Sequence, residues 1–162
     1  VPLTIRCALR YGKYDAATRA DIDRLRGIGY AHLDIIGETV SPAGYAALFP
    51  GRICLQPYNG AEFRDRVSGV TLDALAGGCP VVATAGTWSA ELIERFAAGV
   101  ALPEPTAEQL YEAVKTVMGR YAAFQDGALA ARHAQAQRSW AVLTALLEQA
   151  VVRSPTGTRT NR

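Results

Sequence analysis

The sequence predicts an α/β fold built on parallel strands, and three observations carry that prediction. Short apolar clusters alternate with amphipathic stretches along the whole chain. The clusters are apolar on both sides instead of alternating apolar with polar, which is the pattern of strands covered on both faces. Gly, Pro or a capping Ser, Thr or Asp stands at most junctions between segments.

Taken in order, Leu3–Leu9 reads as a strand and Asp15–Arg26 as a helix, with Asp15 as N-cap and Gly27 and Gly29 as the stop. His32–Ile36 is a second strand, closed by Gly37. Ser41 caps a short helix with Pro42 at its first position, and Pro50-Gly51 ends it. Arg52–Gln56 is a third strand, followed by a polar loop, Pro57–Arg66. A helix from Ser68 to Leu75 stops at Gly77-Gly78. Pro80–Thr84 is a short strand rich in β-branched residues. Thr87–Ala97 is a helix ended by Gly99, and Val100–Leu102 a brief last strand. Thr106 caps a long helix whose apolar stripe is Leu110, Val114, Val117, Met118 and Tyr121. A final helix, Leu129 to Val152, carries the stripe Trp140, Leu143, Leu147 and Ala150.

Five strand–helix repeats and an added helix describe a Rossmann-like, doubly wound parallel sheet with an extra C-terminal helix. The domain is read as residues 1–152, with a polar, aperiodic tail, 153–162, expected to be disordered. In such folds ligands bind at the carboxyl ends of the strands. The loops after Leu9, Ile36, Gln56 and Thr84 are therefore where a site is expected.

Composition narrows the function. The chain has 162 residues, 49% hydrophobic and 20% charged, which suits a globular domain with a real core. No run approaches the ~20 apolar residues that span a bilayer. A net charge of +2 is too mild to point to nucleic acid, and only Lys13 and Lys115 are lysines. Cys7, Cys54 and Cys79 match no metal-ligand spacing, and Cys7 and Cys54 sit in apolar runs. They read as reduced thiols, so the expected location is cytoplasmic. His32 and His133 have no ligand cluster around them, so no metal is expected. The chain starts at Val1 without a signal peptide pattern, and we expect it to be part of a longer protein.

Several α/β chemistries are excluded by missing motifs. The turn after the first strand, Arg10-Tyr11-Gly12-Lys13-Tyr14, lacks the dinucleotide fingerprint and the phosphate loop of nucleoside triphosphatases. There is no G-x-S-x-G nucleophile elbow. The acidic residues that a response-regulator-like receiver needs after its first and third strands are replaced by Leu9-Arg10 and Gln56-Pro57.

The informative segment runs from Leu55 to Thr87, LQPYNGAEFRDRVSGVTLDALAGGCPVVATAGT. An apolar strand ends in Pro57-Tyr58, a polar loop follows, and Ser68-Gly69 opens a helix. Asp73-Ala74-Leu75-Ala76-Gly77-Gly78-Cys79-Pro80-Val81-Val82 continues it. This segment resembles the C-terminal, nucleotide-sugar-binding half of GT-B glycosyltransferases of the group 1, family 4-like type. The family's two acidic residues, eight positions apart, align with Asp65 and Asp73, both Asp where the family usually has Glu.

The resemblance implies a function. The substrate is a nucleoside-diphosphate sugar, UDP-sugars included, whose sugar is transferred to a hydroxyl acceptor with retention and without a metal. Ser68, Gly69, Val70 and Thr71 form the first turn of a helix, whose N–H groups and dipole suit a diphosphate. Arg66 adds a bidentate contact, with Arg10 and Lys13 as further phosphate contacts. Asp73 takes the ribose hydroxyls and Asp65, the catalytic candidate, faces the transferred sugar. Tyr58 and Asn59 line the sugar site, and Gly37 lets the base approach the second strand. Bland roles stand beside these: Ser68 as a plain N-cap, Asp65 as a charge at a helix start, Arg64 and Arg66 paired with Glu62 and Asp65. Asp73 sits among apolar residues in the sequence, and a carboxylate buried there must find a partner.

The acceptor, a sugar or lipid-linked saccharide, is expected on a separate N-terminal domain, against which the final helix packs. The chain by itself is expected to be inactive, and the parent enzyme to be cytoplasmic or peripheral at the inner membrane face. Two alternatives stand. UDP-sugar 2-epimerases share the architecture, but usually carry a second Gly after Ser-Gly and a Glu-Glu pair where this chain has Val70 and Leu72-Asp73. The other is a degenerate GT-B module without catalysis.

Overall fold

The computed structural model describes residues 2–6 and 14–153. The described chain is α/β, and every strand pairing in it is parallel. The strands lie in two sheets, one of two strands and one of three. The chain packs as two units, Val1–Tyr45 and Ala46–Arg162.

In the first unit, β1 (Leu3–Arg6) pairs with β2 (Leu33–Ile36), Leu3 opposite Leu33 and Arg6 opposite Ile36. Between them runs α1 (Ala16–Arg26). Asp15 caps it as expected, its carboxylate accepting from the Thr18 N–H at 2.8 Å. That bond lowers the Asp15 pKa below the ordinary carboxylate value. Ile22 is the buried residue of α1. Pro42 then opens α2 (Pro42–Ala46), with Ser41 Oγ accepting from the Gly44 N–H.

The second unit is built on β3 (Cys54–Gln56), β4 (Val81–Thr84) and β5 (Gly99–Leu102), in that spatial order. All four residues of the central strand β4 are buried. Two helices, α3 (Gly60–Phe63) and α4 (Gly69–Ala76), link β3 to β4. A third, α5 (Trp88–Arg95), links β4 to β5. The chain closes with α6 (Ala107–Gly119) and α7 (Tyr121–Arg153).

The pairing register assigns the faces of this sheet. Leu55, Val82 and Val100 share one row. They pack with Ala113 and Val117 of α6 and Phe124 of α7, so these helices cover that face. Gln56, Ala83 and Ala101 form a row on the opposite face. Gln56 bonds to Thr71 of α4, and Thr71 to Ser89 of α5, so α4 and α5 lie there.

Three expectations are corrected. The polar loop after β3 contains the single turn α3, because Asn59 Oδ1 accepts from the N–H groups of Ala61 and Glu62. The last helix begins at Tyr121, eight residues before Leu129. Gly127 looks like a break in the sequence, but it lies inside α7, where a Cβ would strike the Phe96 and Ala97 carbonyls. In the α6 stripe Met118 is 52% exposed and Tyr121 belongs to α7; Ala113 and Val117 are the residues α6 buries. In the α7 stripe Trp140 is 71% and Leu143 46% exposed. Leu147 and Ala150 of that stripe, and Cys7, Arg10, Lys13 and the tail 154–162, lie outside the described residues or side chains.

Candidate functional site

Three helices start at or just beyond the carboxyl ends of β3 and β4, and each start is capped by its own side chain. Asn59 caps α3, Ser68 caps α4 and Thr87 caps α5. Ser68 Oγ accepts from the Thr71 N–H at 3.3 Å. Thr87 Oγ1 accepts from the Ala90 N–H at 3.2 Å and donates to the Thr84 carbonyl at 2.7 Å.

Beneath these starts lies a polar cluster. Thr71 Oγ1 donates to Gln56 Oε1 at 2.7 Å and stands 2.8 Å from Ser89 Oγ. A threonine has one hydroxyl proton, so Ser89 is the donor of the second bond. Among the described residues, the buried polar side chains are Gln56, Ser68, Thr71, Thr84, Thr87 and Ser89, all at this edge. Gln56 Nε2 is buried and has no acceptor in range among the described residues.

The segment from β3 to α4 is tied down from both sides. Thr84 Oγ1 donates to the Tyr58 carbonyl at 2.7 Å, and the Trp88 N–H donates to the Arg64 carbonyl at 3.0 Å. The Tyr58 ring stacks on Phe63, with centroids 4.2 Å apart and planes 19° from parallel. The Arg66 guanidinium lies over Phe63, 5.5 Å from its centroid.

Most of the residues expected at a ligand site fall in this one segment, 58–73. Tyr58 is half-buried and stacked, and Asn59 is used as a cap. Asp65, Arg66, Gly69, Val70 and Asp73 are exposed. Ser68 is buried with its hydroxyl engaged as the cap of α4. Thr71 is fully buried, its amide taken by Ser68 and its hydroxyl by Gln56 and Ser89. Helical periodicity explains this division: residues 68, 71, 74, 75 and 78 face the sheet, while 69, 70, 73 and 76 face out. Asp73 is on the outward face, so the argument from a buried carboxylate does not apply to it. Gly37 belongs to the first unit, directly after β2.

Gln56, Phe63, Thr84 and Ser89 take part in this edge without having been singled out in the sequence. A polar residue closing an otherwise apolar strand, as Gln56 and Thr84 do, is the signal that marks two of them.

The two described thiols are poor nucleophiles at neutral pH. Burial pushes Cys54 up to about 11, with Gln56 acting against it. Burial, and then the neighbouring Cys54, push Cys79 up to about 12. Cys79 Sγ–H donates to the Arg52 carbonyl at 3.1 Å, which also accepts from the Tyr121 hydroxyl at 3.2 Å. Among the described residues no three His, Cys, Asp or Glu side chains gather into a group fit for a metal ion. No helix among them is long and apolar enough to cross a membrane.

No protein-family model, no curated protein and no solved structure matches this chain.

Proposed function

We propose that the segment 58–73 binds the diphosphate and sugar of a nucleotide-sugar donor, as part of a retaining glycosyltransferase with a GT-B fold. In this reading the chain is one Rossmann-like half of that fold. One observation carries the reading. The first turn of α4, opening beyond the carboxyl end of β3, is solvent-open at Gly69 and Val70, and exposed Asp65, Arg66 and Asp73 lie in the same short stretch.

The chemistry follows from those groups. The first N–H groups of a helix have no intrahelical acceptor and carry the positive end of its dipole. Gly69 and Val70 offer them to a phosphate, while the Thr71 amide, engaged by Ser68, serves the scaffold. Arg66 supplies a second, charged contact to phosphate. Asp73 follows Gly69 by four residues on the same outward face, about one turn along the helix. Its carboxylate is placed in this reading to accept ribose hydroxyls, and Asp65 those of the transferred sugar. The amides of Gly69 and Val70 and the Arg66 guanidinium are the donors that stabilise the negative charge developing on the leaving diphosphate.

The test is a titration of the full chain with UDP, GDP and ADP and their common sugar conjugates, followed by 15N-amide NMR. Binding of one nucleotide is expected to shift Gly69 and Val70 and to weaken in Asp73→Ala. A Cβ at Gly69 meets nothing within 4 Å, so Gly69→Ala should leave the fold intact and weaken binding by crowding the phosphate. If no nucleotide moves these amides at millimolar concentration, the proposal fails.

A further inference from the structure

The loop ahead of α4 contains a ladder of contacts that leads from the sheet to a cation. Thr84, buried at the end of β4, holds the Tyr58 carbonyl through its hydroxyl at 2.7 Å. Tyr58 stacks on Phe63 at 4.2 Å, and Arg66 lies over Phe63 at 5.5 Å. The Arg66 N–H also donates to the Phe63 carbonyl at 3.4 Å. Each rung is fixed by the one before it. Arg66 then stands two residues ahead of Ser68, the cap of α4.

We propose that Phe63 is a positioning residue for Arg66: its ring, braced by Tyr58, holds the guanidinium at the entry to α4 ready for an anionic diphosphate. This rests on the donor-binding reading above. An exposed arginine samples many rotamers, and ordering it on a ligand costs entropy. A guanidinium already resting on an aromatic face loses less of that freedom when it binds. The Phe63 ring need not touch the ligand for this to work.

Two measurements on the full chain test it, using Phe63→Leu, Phe63→Tyr, Arg66→Gln and the double variant Phe63→Leu/Arg66→Gln. The first is 15N relaxation of the Arg66 Nε–Hε group without ligand. It is expected to be ordered in the native chain, mobile in Phe63→Leu and ordered again in Phe63→Tyr. The second is calorimetric binding of UDP, GDP and ADP at several salt concentrations. Phe63→Leu should weaken binding about two- to fivefold, the size of an exposed cation–aromatic contact. It should also flatten the salt dependence toward that of Arg66→Gln, and have no effect once Arg66 is gone.

Equal Arg66 mobility in the native chain and Phe63→Leu overturns the inference. So does an equal loss from Phe63→Leu with and without Arg66, since that marks a general packing defect. Should Phe63→Leu not fold, Phe63→Met takes its place in both measurements. If none of the three nucleotides binds the native chain, the donor-binding reading falls and this one with it. If one binds but the cycle is additive, this inference alone falls.

Discussion

Thr71 Oγ1 lies 2.7 Å from Gln56 Oε1, which joins the first turn of α4 to the last residue of β3 through two side chains shut off from water. With Ser89 at 2.8 Å on the other side, one hydroxyl ties together a strand and the starts of two helices. Thr71→Val keeps the shape but removes that hydroxyl, leaving Gln56 Oε1 and Ser89 Oγ buried without their partner. The expected cost is about 1–3 kcal/mol in urea unfolding. Thr71→Ser should lose much less.

Two glycines predict opposite signs. A Cβ at Gly99 would collide with the backbone of Val81, its partner across β4 and β5. Gly99→Ala should destabilise by about 1–3 kcal/mol, as overpacked sites do. Gly119 closes α6 and has nothing within 4 Å of the same position. Gly119→Ala should be neutral or stabilise by up to about 1 kcal/mol. Melting temperatures of the two variants against the native chain check both.

The thiols predict a loss of stability at alkaline pH. In the unfolded chain a thiol titrates near 9.0, whereas burial holds Cys54 at about 11 and Cys79 at about 12. Between those values the folded state keeps protons that the unfolded state has released. Stability from this source is therefore complete below about 9 and falls as pH rises through 11 and 12. Urea midpoints at pH 8 and pH 10.5 should show the fall, and Cys54→Ala/Cys79→Ala should reduce it. A thiol reagent at pH 8 should label Cys54 and Cys79 only when the chain is unfolded.

The α/β class and the places of the five described strands were legible because each strand is a compact apolar run between strong punctuation, such as Pro80–Thr84 between Gly78 and Gly86. The caps at Asp15, Ser68 and Thr106 were legible for the same local reason. The start of α7 was not, because the close approach of the Phe96 and Ala97 carbonyls that calls for a glycine at 127 is a long-range fact. Met118 misled because apolar periodicity reports a stripe without saying what covers it. At the candidate site, residues 65–73 were singled out by a family resemblance, whereas the burial of Thr71 beside Gln56 and Ser89 depends on where α5 lies, which no local pattern encodes.

Trp140 also makes a prediction. At 71% exposure its indole should emit near the wavelength of tryptophan in water and be quenched readily by iodide. Trp88, half-buried at the start of α5, should be shielded by comparison. Single replacements, Trp140→Phe and Trp88→Phe, separate the two signals. Trp140→Phe should change stability by no more than about 0.5 kcal/mol, as surface substitutions do.

The central place of β4 governs how the second unit comes apart. Val81, Val82 and Ala83 are paired on both sides, and all four residues of the strand are buried. No small fluctuation frees those amides; both neighbouring strands or the helices over them must open first. In deuterated buffer the protons of Val82 and Ala83 should thus be among the last to leave, at a rate that reports the opening of the whole unit. The amides of Gly69 and Val70, at an open helix start, should exchange within the first moments.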